Sequence, residues 1–393
     1  MTLVGKRLVH VFTVSDSLIF VRDQLLACLA AGMQVSVVSS EGPQLRALGR
    51  ELPVEVFAVD MPRRLSPLGD WAAAQAIFRI ISRLRPDIVH AHTPKGGLLG
   101  SLAAHAARVP VRIYQMRGLP HVTQQGAMRA LLMTTERIAC RAATHVLCEG
   151  FSLRNVAVAE ALVAAPKATV LLQGSNGVDC QVRFVPNRER RTRERLAQGF
   201  SPDEVVFLFV GRLVRDKGVG ELLQAFRSVR EGHPLVRLVL VGPLEERDAL
   251  GPHEKTLLSA PGVEHVGYQS DVVRFYAAAD VLVLPSHREG FPNVPLEAAA
   301  MGLPVITTNA VGCIDAVDPG VTGFQVPVNN VAALTTTMRA YASDPALRER
   351  HGLAGRAWVE RNFEMSAMTK AMLGFYRRAL EGVNEGGAVD ADL

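Results

Sequence analysis

Two glutamates with a fixed spacing are the first candidates for chemistry. Glu289 and Glu297 stand eight positions apart in SHREGFPNVPLEAA (286–299), with glycine and proline between them. A carboxylate can accept two hydrogen bonds from a vicinal diol, as in ribose recognition by dinucleotide-binding folds. Two such carboxylates along one edge would hold two hydroxylated rings. The alternative is that Glu297 only stabilises its helix and that Glu289 is solvated.

The positions of the two glutamates follow from the elements around them. DVLVLPS (280–286) is predicted to be a strand, so Glu289 lies in the loop that leaves it. Pro295 suits the first turn of the next helix, with Asn293 or the residue after it as the cap. Glu297 is then predicted in the first turn, where the helix dipole favours a carboxylate.

Cations and glycines follow other predicted strands of the same half. Arg212 comes at the end of VVFLFVGRL (205–213), and Lys217 and Gly218 follow before the next helix. Arginine offers a fork of donors to phosphate oxygens, lysine adds a point charge, and glycine admits a close ligand. Gly312 lies in another strand-to-helix loop, whose amides suit an anion. Together with the two carboxylates, these groups describe a site for a nucleoside diphosphate that carries a sugar.

Two common nucleotide motifs are missing from the sequence. The chain contains no GxxxxGK[ST] motif and no GxGxxG after its first predicted strand. Their absence argues against ATP hydrolysis and against NAD binding.

The elements that position these residues alternate between strand and helix. Such alternation predicts an α/β fold with two Rossmann-like, doubly wound domains facing a cleft, and ligands at the carboxyl ends of the strands. The arginine-rich stretch 181–204 is interpreted as the connecting segment. The predicted strands are 7–14, 34–40, 87–92, VRIYQM and HVLCEG in the first half, and 205–213, 236–243, 263–268, 280–286 and 303–309 in the second.

Composition places the chain among globular proteins. Its 393 residues suffice for two domains, and 48% are hydrophobic while 21% are charged. No stretch approaches the roughly 20 apolar residues of a membrane span, and the N-terminus lacks a signal-peptide pattern. The five cysteines form no CxxC pair, which is typical of reduced thiols in a cytoplasmic protein.

Charge is distributed unevenly along the chain. Residues 1–179 carry a net charge of +7, and residues 180–393 carry −2. A basic first half suggests membrane lipid, a phosphorylated substrate or nucleic acid as a neighbour, whereas the alternative is an ordinary solvated surface. Nucleic acid is not favoured, because no aromatic platform or recognised motif accompanies the charge. The candidate membrane segment is 61–86, with Arg63, Arg64, Arg79, Arg83 and Arg85 beside Leu65, Leu68, Trp71 and Phe78; Phe78 and Ile80 are expected to pack on the sheet.

Four stretches in order resemble one known family. They are NGVD (176–179), VGRLVRDKG (210–218), the run 276–306 that contains both glutamates, and GVTGF (320–324). The sequence resembles the retaining family-4 glycosyltransferases of the GT-B fold, and the spacing of Glu289 and Glu297 matches the E-x7-E signature of that family.

The resemblance implies a role for each matching residue. Glu297 would bind the ribose, Glu289 would contact the donor sugar, and Arg212 and Lys217 would hold the diphosphate as it leaves. The remaining donor-binding positions that it implies are Gly267, Tyr268, Gly290, Phe291 and Gly312. No metal or other cofactor is expected, since cationic side chains and helix N-termini replace the divalent ion. A front-face displacement with retention would require no protein nucleophile.

The first domain departs from the family pattern. Ser15 and Asp16 stand where many members have a glycine-rich turn beside the ligand, and a helix N-cap is the alternative. Arg117 precedes Gly118 where many members have histidine, and arginine cannot act as a base. His92 is interpreted as a cleft residue, and His90 as structural.

The function that follows is transfer of a sugar from a nucleotide-diphosphate donor, expected to be a UDP-sugar. The acceptor would be a glycan or a polyprenyl-diphosphate-linked glycan in surface-polysaccharide biosynthesis, with peripheral contact at the inner face of an anionic membrane. A nucleotide-sugar epimerase and a non-catalytic nucleotide-sugar-binding protein remain alternatives. The domains are expected to span 1–175 and 176–374, with a helix at about 375–390 packing back on the first.

Overall fold

The chain forms two compact units in the computed structural model, which describes residues 2–62, 64, 66–246 and 248–384. One unit runs to Asn176 and takes in the chain from Ser366 onward, and the other spans Gly177–Met365. Each unit is an α/β structure with its own parallel sheet. The prediction of two doubly wound α/β units is therefore confirmed.

In the first unit, the described residues form a parallel sheet of seven strands in the order β3-β2-β1-β4-β5-β6-β7. These strands are β1 (Arg7–Val11), β2 (Gln34–Ser39), β3 (Glu55–Ala58), β4 (Ile88–His92), β5 (Val111–Met116), β6 (His145–Cys148) and β7 (Ala168–Thr169). The helices between them are α1 (Arg22–Ala30), α2 (Pro43–Glu51), α3 (Pro67–Leu84), α4 (Pro94–Ala106), α5 (Gly126–Ala142) and α6 (Phe151–Ala159). β1 and β4 are buried almost throughout, as expected of central strands covered on both faces.

The second unit repeats this design with six strands among its described residues, in the order β10-β9-β8-β11-β12-β13. They are β8 (Val205–Val210), β9 (Val236–Val241), β10 (Val263–Gly267), β11 (Val281–Leu284), β12 (Val305–Thr308) and β13 (Gly323–Val326). The helices are α7 (Arg188–Ala197), α8 (Val219–Gly232), α9 (Pro252–Leu257), α10 (Val273–Ala278), α11 (Asn293–Ala300), α12 (Val331–Ser343) and α13 (Pro345–Asn362).

The last helix, α14 (Met365–Asn384), belongs to the first unit. Phe375, Tyr376 and Leu380 are buried in the same cluster as Leu8 and Phe12 of the first sheet. The sequence placed the end of the second unit at residue 374, whereas in the structure that unit ends at Met365, where α14 begins. Residues 385–390 of the expected helix lie outside the described part of the chain.

The stretch 181–204 is not a simple connection. It contains α7, whose Arg195 is buried and donates to Asp280 at 3.1 Å and to the Ser201 carbonyl at 2.6 Å. Arg191 also bonds Asp280, at 2.6 Å. The arginines of this stretch therefore anchor a helix to the second unit, since buried charges require such partners.

Candidate functional site

The second sheet has one topological switch point. From β8 the chain passes to β9 and β10 on one side, and it later returns to β11 on the other side of β8. The loops that leave β8 and β11 therefore diverge at the carboxyl edge of the sheet. In open α/β sheets this is the place where ligands bind.

Lys217 and Glu289 meet at that switch point. Lys217 ends the 3-10 turn Arg215–Lys217 after β8, and Glu289 lies in the loop after β11. The Lys217 ammonium donates to Glu289 Oε1, and Ser286 Oγ donates to the same oxygen at 2.8 Å. The side chains are 20% and 13% exposed, so this ion pair is partly shielded but open to solvent. Two residues that the sequence singled out separately are thus direct partners.

Glycines allow the loops around this pair to approach one another. Gly218 has φ +68°, and a Cβ there would lie 2.1 Å from the Pro285 carbonyl oxygen. Gly312 has φ +81°, and a Cβ there would lie 2.6 Å from the Gly290 carbonyl oxygen. The Glu289 amide also donates to the Val311 carbonyl at 3.0 Å. Larger residues would force these loops apart, because both positions combine a left-handed φ with backbone contact.

A second set of contacts fixes the same loops. Arg288 bonds Asp216, and the His287 amide donates to the Asp216 carbonyl at 2.8 Å. The Asp216 amide in turn donates to Asp248 Oδ2 at 2.7 Å. His287 Nε2 lies 3.2 Å from Glu221 Oε1, and this hydrogen bond is the main cause that raises the pKa of His287.

Glu297 is positioned by α11 rather than by the loop. The helix begins at Asn293 after Pro292 as its cap, so Glu297 is its fifth residue and lies beyond the first turn. The expected placement in the first turn is wrong, because the helix starts at the cap that the sequence had proposed. Tyr276 Oη donates to Glu297 Oε2 at 2.8 Å. Burial raises the pKa of the partly buried Glu297, while the Tyr276 hydrogen bond and the charge of Arg183 oppose that rise.

The other predicted donor-binding residues of this unit differ in accessibility. Arg212 is half exposed and bonds Glu245 at 2.8 Å. Gly267 ends β10 with φ +69° and open space beside it, and Tyr268 is 69% exposed. Phe291 is buried and packs on Phe363 at 5.5 Å between ring centroids. Its ring therefore belongs to the core, and only its backbone can contact a donor.

The first unit also has a switch point, between β1 and β4, and hydroxyl groups meet there. Thr13 Oγ1 lies 2.7 Å from Thr93 Oγ1 and accepts from the Gly96 amide at 2.8 Å. Thr93 has φ +65° and ψ 160°, a conformation that costs a non-glycine residue energy and that is typical of functional loops.

Ser15 and Asp16 follow β1 at the same switch point. They open a 3-10 helix, Ser15–Val21, in which Ser15 is buried and Asp16 is exposed. The residue in the N-cap position is Val14, and no side-chain capping bond forms there. The alternative assignment of Ser15 and Asp16 as a helix cap is therefore wrong.

Arg117 is held in a buried ion pair. Its guanidinium bonds Glu149, and the two side chains are 11% and 5% exposed. Asn176 Nδ2 donates to the same carboxylate at 3.2 Å, and Arg117 Nε approaches His92 Nδ1 at 3.4 Å. Glu149 directly follows β6, so this pair joins the carboxyl ends of two neighbouring strands.

His92 does not face a ligand. Its ring is fully buried and stacks on Phe12 and on His90, each at 4.1 Å between centroids. Burial is the main cause that holds the pKa of His92 well below its usual value. The interpretation of His92 as a cleft residue is corrected: since Arg117 can only donate, the neutral ring accepts from it at Nδ1.

Three buried histidines share this part of the first unit. His10, His90 and His92 offer ligand atoms that lie within 4.8 Å of one another. His10 Nδ1 bonds His92 Nε2 at 2.8 Å, and His90 bonds Tyr376 at 2.7 Å and Gln115 at 3.2 Å. A metal must lie near the plane of each ligand ring, yet the rings of His90 and His92 are stacked with only 27° between their planes. The arrangement fits a hydrogen-bonded stack better than a metal centre.

Comparison with known proteins assigns both units. The model for "Glycosyl transferases group 1" matches residues 190–358, and that for a "Glycosyl transferase 4-like domain" matches residues 19–172. The capsular polysaccharide biosynthesis glycosyltransferase CapM of Staphylococcus aureus is 32% identical over 96% of this chain and 98% of its own length. The chain belongs to the family-4 glycosyltransferases of the GT-B fold.

Two further matches extend the comparison of this glycosyltransferase. An Escherichia coli enzyme, UDP-Gal:alpha-D-GlcNAc-diphosphoundecaprenol alpha-1,3-galactosyltransferase, is 26% identical over 74% of this chain and 75% of its own length. The crystal structure of Anabaena Alr3699/HepE in complex with UDP shares the fold, with a TM-score of 0.77 and 19% identity over 95% of this chain and 100% of that one.

The sequence prediction missed several partners of the residues that it had singled out in this glycosyltransferase. They are Ser286 and Tyr276, which bond the two glutamates, Glu245, which bonds Arg212, and Glu149, which bonds Arg117. Glu149 carried a usable signal, because it lies at the carboxyl end of the predicted strand HVLCEG. Within the described residues of this glycosyltransferase, none of the helices is both long and apolar enough to cross a membrane.

Proposed function

We propose that this glycosyltransferase moves a hexosyl group from a UDP-sugar, with retention of configuration, to a hydroxyl of a lipid-linked glycan acceptor. The observation that carries the proposal is the Lys217–Glu289 ion pair at the switch point of the second sheet. Each partner has the chemistry to bind one part of the donor. The names of the S. aureus and E. coli relatives support a polysaccharide or lipid-linked acceptor, and the UDP complex of the Anabaena protein supports a uridine donor.

Donor binding would replace the ion pair with two new sets of contacts. The Lys217 ammonium turns to the diphosphate, and the Glu289 carboxylate accepts hydrogen bonds from hydroxyls of the donor sugar. Ser286, which already donates to Glu289, keeps that carboxylate in place during the exchange. Arg212 is half exposed, and it can leave Glu245 for the diphosphate at small cost because such an ion pair is weak.

Glu297, on helix α11, would bind the ribose. The Tyr276 hydroxyl holds one of its oxygens at 2.8 Å, and the other oxygen suits a ribose hydroxyl. Amides around Gly312, and the open surface at Gly267 and Tyr268, complete the donor contacts in the proposal. This arrangement keeps the nucleotide on rigid strand and helix ends.

The chemical step breaks the bond between the anomeric carbon and the diphosphate oxygen. In a front-face displacement the acceptor oxygen attacks from the side of the leaving group, and the departing phosphate oxygen takes the acceptor proton. Lys217 and Arg212 stabilise the charge that grows on the diphosphate, so no protein nucleophile is needed. The proposal includes metal independence, and it places the reaction at the cytoplasmic face of the membrane, where a polyprenyl-linked acceptor would be presented.

The test is a transfer assay with UDP-sugars in excess chelator and a polyprenyl-diphosphate-linked acceptor. We expect acceptor-dependent release of UDP and a product with the donor's anomeric configuration, read by nuclear magnetic resonance. Lys217→Ala and Arg212→Ala should lower turnover more than donor affinity, because the charge develops in the transition state. Lys255→Ala, on exposed α9, is the matched control.

Other outcomes of that assay contradict the proposal in distinct ways. Sugar conversion without acceptor would indicate an epimerase, and donor binding without turnover would indicate a binding protein. Loss of activity in chelator would overturn the metal-free mechanism. Inversion at the anomeric carbon would remove the front-face step.

A further inference from the structure

The outer surface of α3, α4 and α5 forms one layer in the first unit. α4 packs against α3 on one side and against α5 on the other. Residues such as Ala73 and Ile77 of α3 and Met133 of α5 face inward and are buried. The opposite sides of the three helices are accessible, and we call them the α3–α5 face.

The α3–α5 face exposes large apolar side chains. On α3, Leu68, Trp71 and Phe78 are spaced three and seven residues apart, which places them along one side of the helix. Phe78 was expected to pack on the sheet, but it points outward because Ile77 and Ile81 occupy the buried side. Ile80 does pack against the core, as expected. The exposed apolar side chains are Leu68 (86%), Trp71 (64%) and Phe78 (39%) on α3, Leu102 (38%) on α4, and Met128 (43%), Leu131 (41%) and Ile138 (38%) on α5.

Carboxylates on these helices are neutralised or buried. The three helices contain only two, Asp70 and Glu136. Asp70 accepts from Lys95 at 2.7 Å, and Glu136 is fully buried beneath Tyr114. Burial raises the pKa of Glu136 to about 7, so this group is only partly ionised near neutrality.

Basic side chains accompany the apolar ones. Arg79 and Arg83 lie on the exposed side of α3, and Arg141 lies near the end of α5. Arg83 pairs with Glu55 at 3.4 Å, but both side chains are more than half exposed, so the pair is weak. Arg85 and Arg108, which follow α3 and α4, are also exposed. Arg63 and Leu65, which the sequence added to this set, lie outside the described residues.

We propose that the α3–α5 face docks on an anionic lipid surface. Exposed aromatic and aliphatic side chains enter the boundary between headgroups and acyl chains, and arginines bind the acidic headgroups. A second copy of the chain is the alternative occupant, yet two copies of one basic face would repel each other. The charge of the face therefore favours anionic lipid over self-association.

Docking is independent of the site in the second unit. The α3–α5 face belongs to the first unit, Lys217, Glu289 and Glu297 belong to the second, and vesicle binding needs no donor or acceptor. Failure of lipid binding and failure of sugar transfer would therefore be separate results.

Tryptophan fluorescence provides a direct test, because the chain has two tryptophans and only Trp71 lies on this face. Trp358 is partly buried and packs on Phe363 at 4.7 Å between ring centroids. Vesicles of phosphatidylcholine with phosphatidylglycerol should shift the emission of the full chain to shorter wavelength. Trp71→Phe should abolish the shift, and Trp358→Phe should retain it.

Vesicle flotation measures the affinity. Leu68→Ser with Trp71→Ser should strongly reduce recovery with anionic vesicles, whereas the matched pair Leu196→Ser with Leu353→Ser, equally exposed in the second unit, should not. Arg79→Gln with Arg141→Gln should weaken partitioning by roughly fivefold for each arginine, and added salt should have the same effect. Arg227→Gln with Arg361→Gln, on exposed helix positions of the second unit, is the charge control.

Three results would overturn the proposal. The first is equal recovery with neutral and anionic vesicles, and the second is no recovery with either. The third is a concentration-dependent doubling of mass without lipid that Leu68→Ser with Trp71→Ser abolishes, which would assign the face to a second copy.

Discussion

The two sheets have the same kind of switch point, but their chemistry differs. In the second unit a lysine and a glutamate face each other at the strand ends and remain open to solvent. In the first unit the corresponding position holds paired threonine hydroxyls. Arg117, at the end of the neighbouring strand β5, is almost fully buried against Glu149. The ion pair at the second switch point is open to solvent, whereas the pair on the strands beside the first switch point is buried and joins β5 to β6.

A charged residue at a strand end is therefore not by itself a binding residue. Lys217 and Arg117 both follow central strands, and both bond a glutamate from a neighbouring strand. Their exposure separates them, because a partly open pair can be replaced by ligand, while breaking a buried pair leaves an uncompensated charge.

Among the substitutions that test this difference between the two units, we expect the largest effect on stability from Arg117→Ala. Arg117→Ala should lower the free energy of unfolding by about 3–5 kcal/mol, because it leaves Glu149 buried without its cation. UDP affinity in the folded fraction should not change. Chemical denaturation measures the first and calorimetry the second, with exposed Arg108→Ala as the control. A stable variant with weaker UDP binding would place Arg117 in the donor site instead.

The next effect concerns the loops of the second switch point. Gly218→Ala should destabilise the protein by about 2–5 kcal/mol, since it adds overpacking against Pro285 to the cost of a left-handed φ. Gly199→Ala is the matched control, because Gly199 has φ +72° and nothing within 4 Å. It should cost only about 1–2 kcal/mol. Equal costs for the two variants, measured by thermal unfolding, would show that the close approach to Pro285 does not constrain the loop.

Substitution of Glu297 tests the proposed contact with the ribose. Glu297→Ala should weaken UDP binding by about 1.5–3 kcal/mol, the cost of losing hydrogen bonds to a charged group. Tyr276→Phe should weaken it less, since it removes only the bond that orients the carboxylate. Unchanged UDP affinity in folded Glu297→Ala would remove the ribose role.

The smallest effect is the pH dependence of the His287–Glu221 contact. The pKa of His287 is raised from 6.5 and that of Glu221 is lowered from 4.5. The stabilisation is therefore fully present between about pH 4.5 and 6.5, and it is lost as pH rises through the raised pKa of His287. His287→Gln should cost less than about 1 kcal/mol in that window, because the pair is partly exposed. A stability difference that grows above pH 7 would contradict this sign.

Much of this architecture follows from the sequence. Buried strands such as β8 and β11 were predictable from their continuous apolar runs, and their ends placed Lys217 and Glu289 in loops at one sheet edge. Their direct contact was not predictable, since it joins residues 72 positions apart through the packing of two strands. The same limit applies to Glu149 with Arg117.

Other errors arose where tertiary contacts override local pattern. The stretch that contains α7 was interpreted as a connecting segment, yet Arg195 is buried and both Arg191 and Arg195 bond Asp280. His92 resembles a ligand residue in sequence, yet His10 and Phe12 of the neighbouring strand enclose it. Phe291 follows Glu289 closely, but its ring turns into the core.

The exchange of the Lys217–Glu289 ion pair for the donor is tested most directly by the affinity of Glu289→Gln for UDP in chelator. UDP carries the diphosphate but no sugar, so the account predicts binding about 0.5–1.5 kcal/mol tighter than wild type, because the acceptor that competes for Lys217 loses its charge. The gain should vanish in the Lys217→Ala background, and sugar transfer by Glu289→Gln should be lost. Weaker UDP binding by Glu289→Gln, or an equal gain without Lys217, would contradict the account.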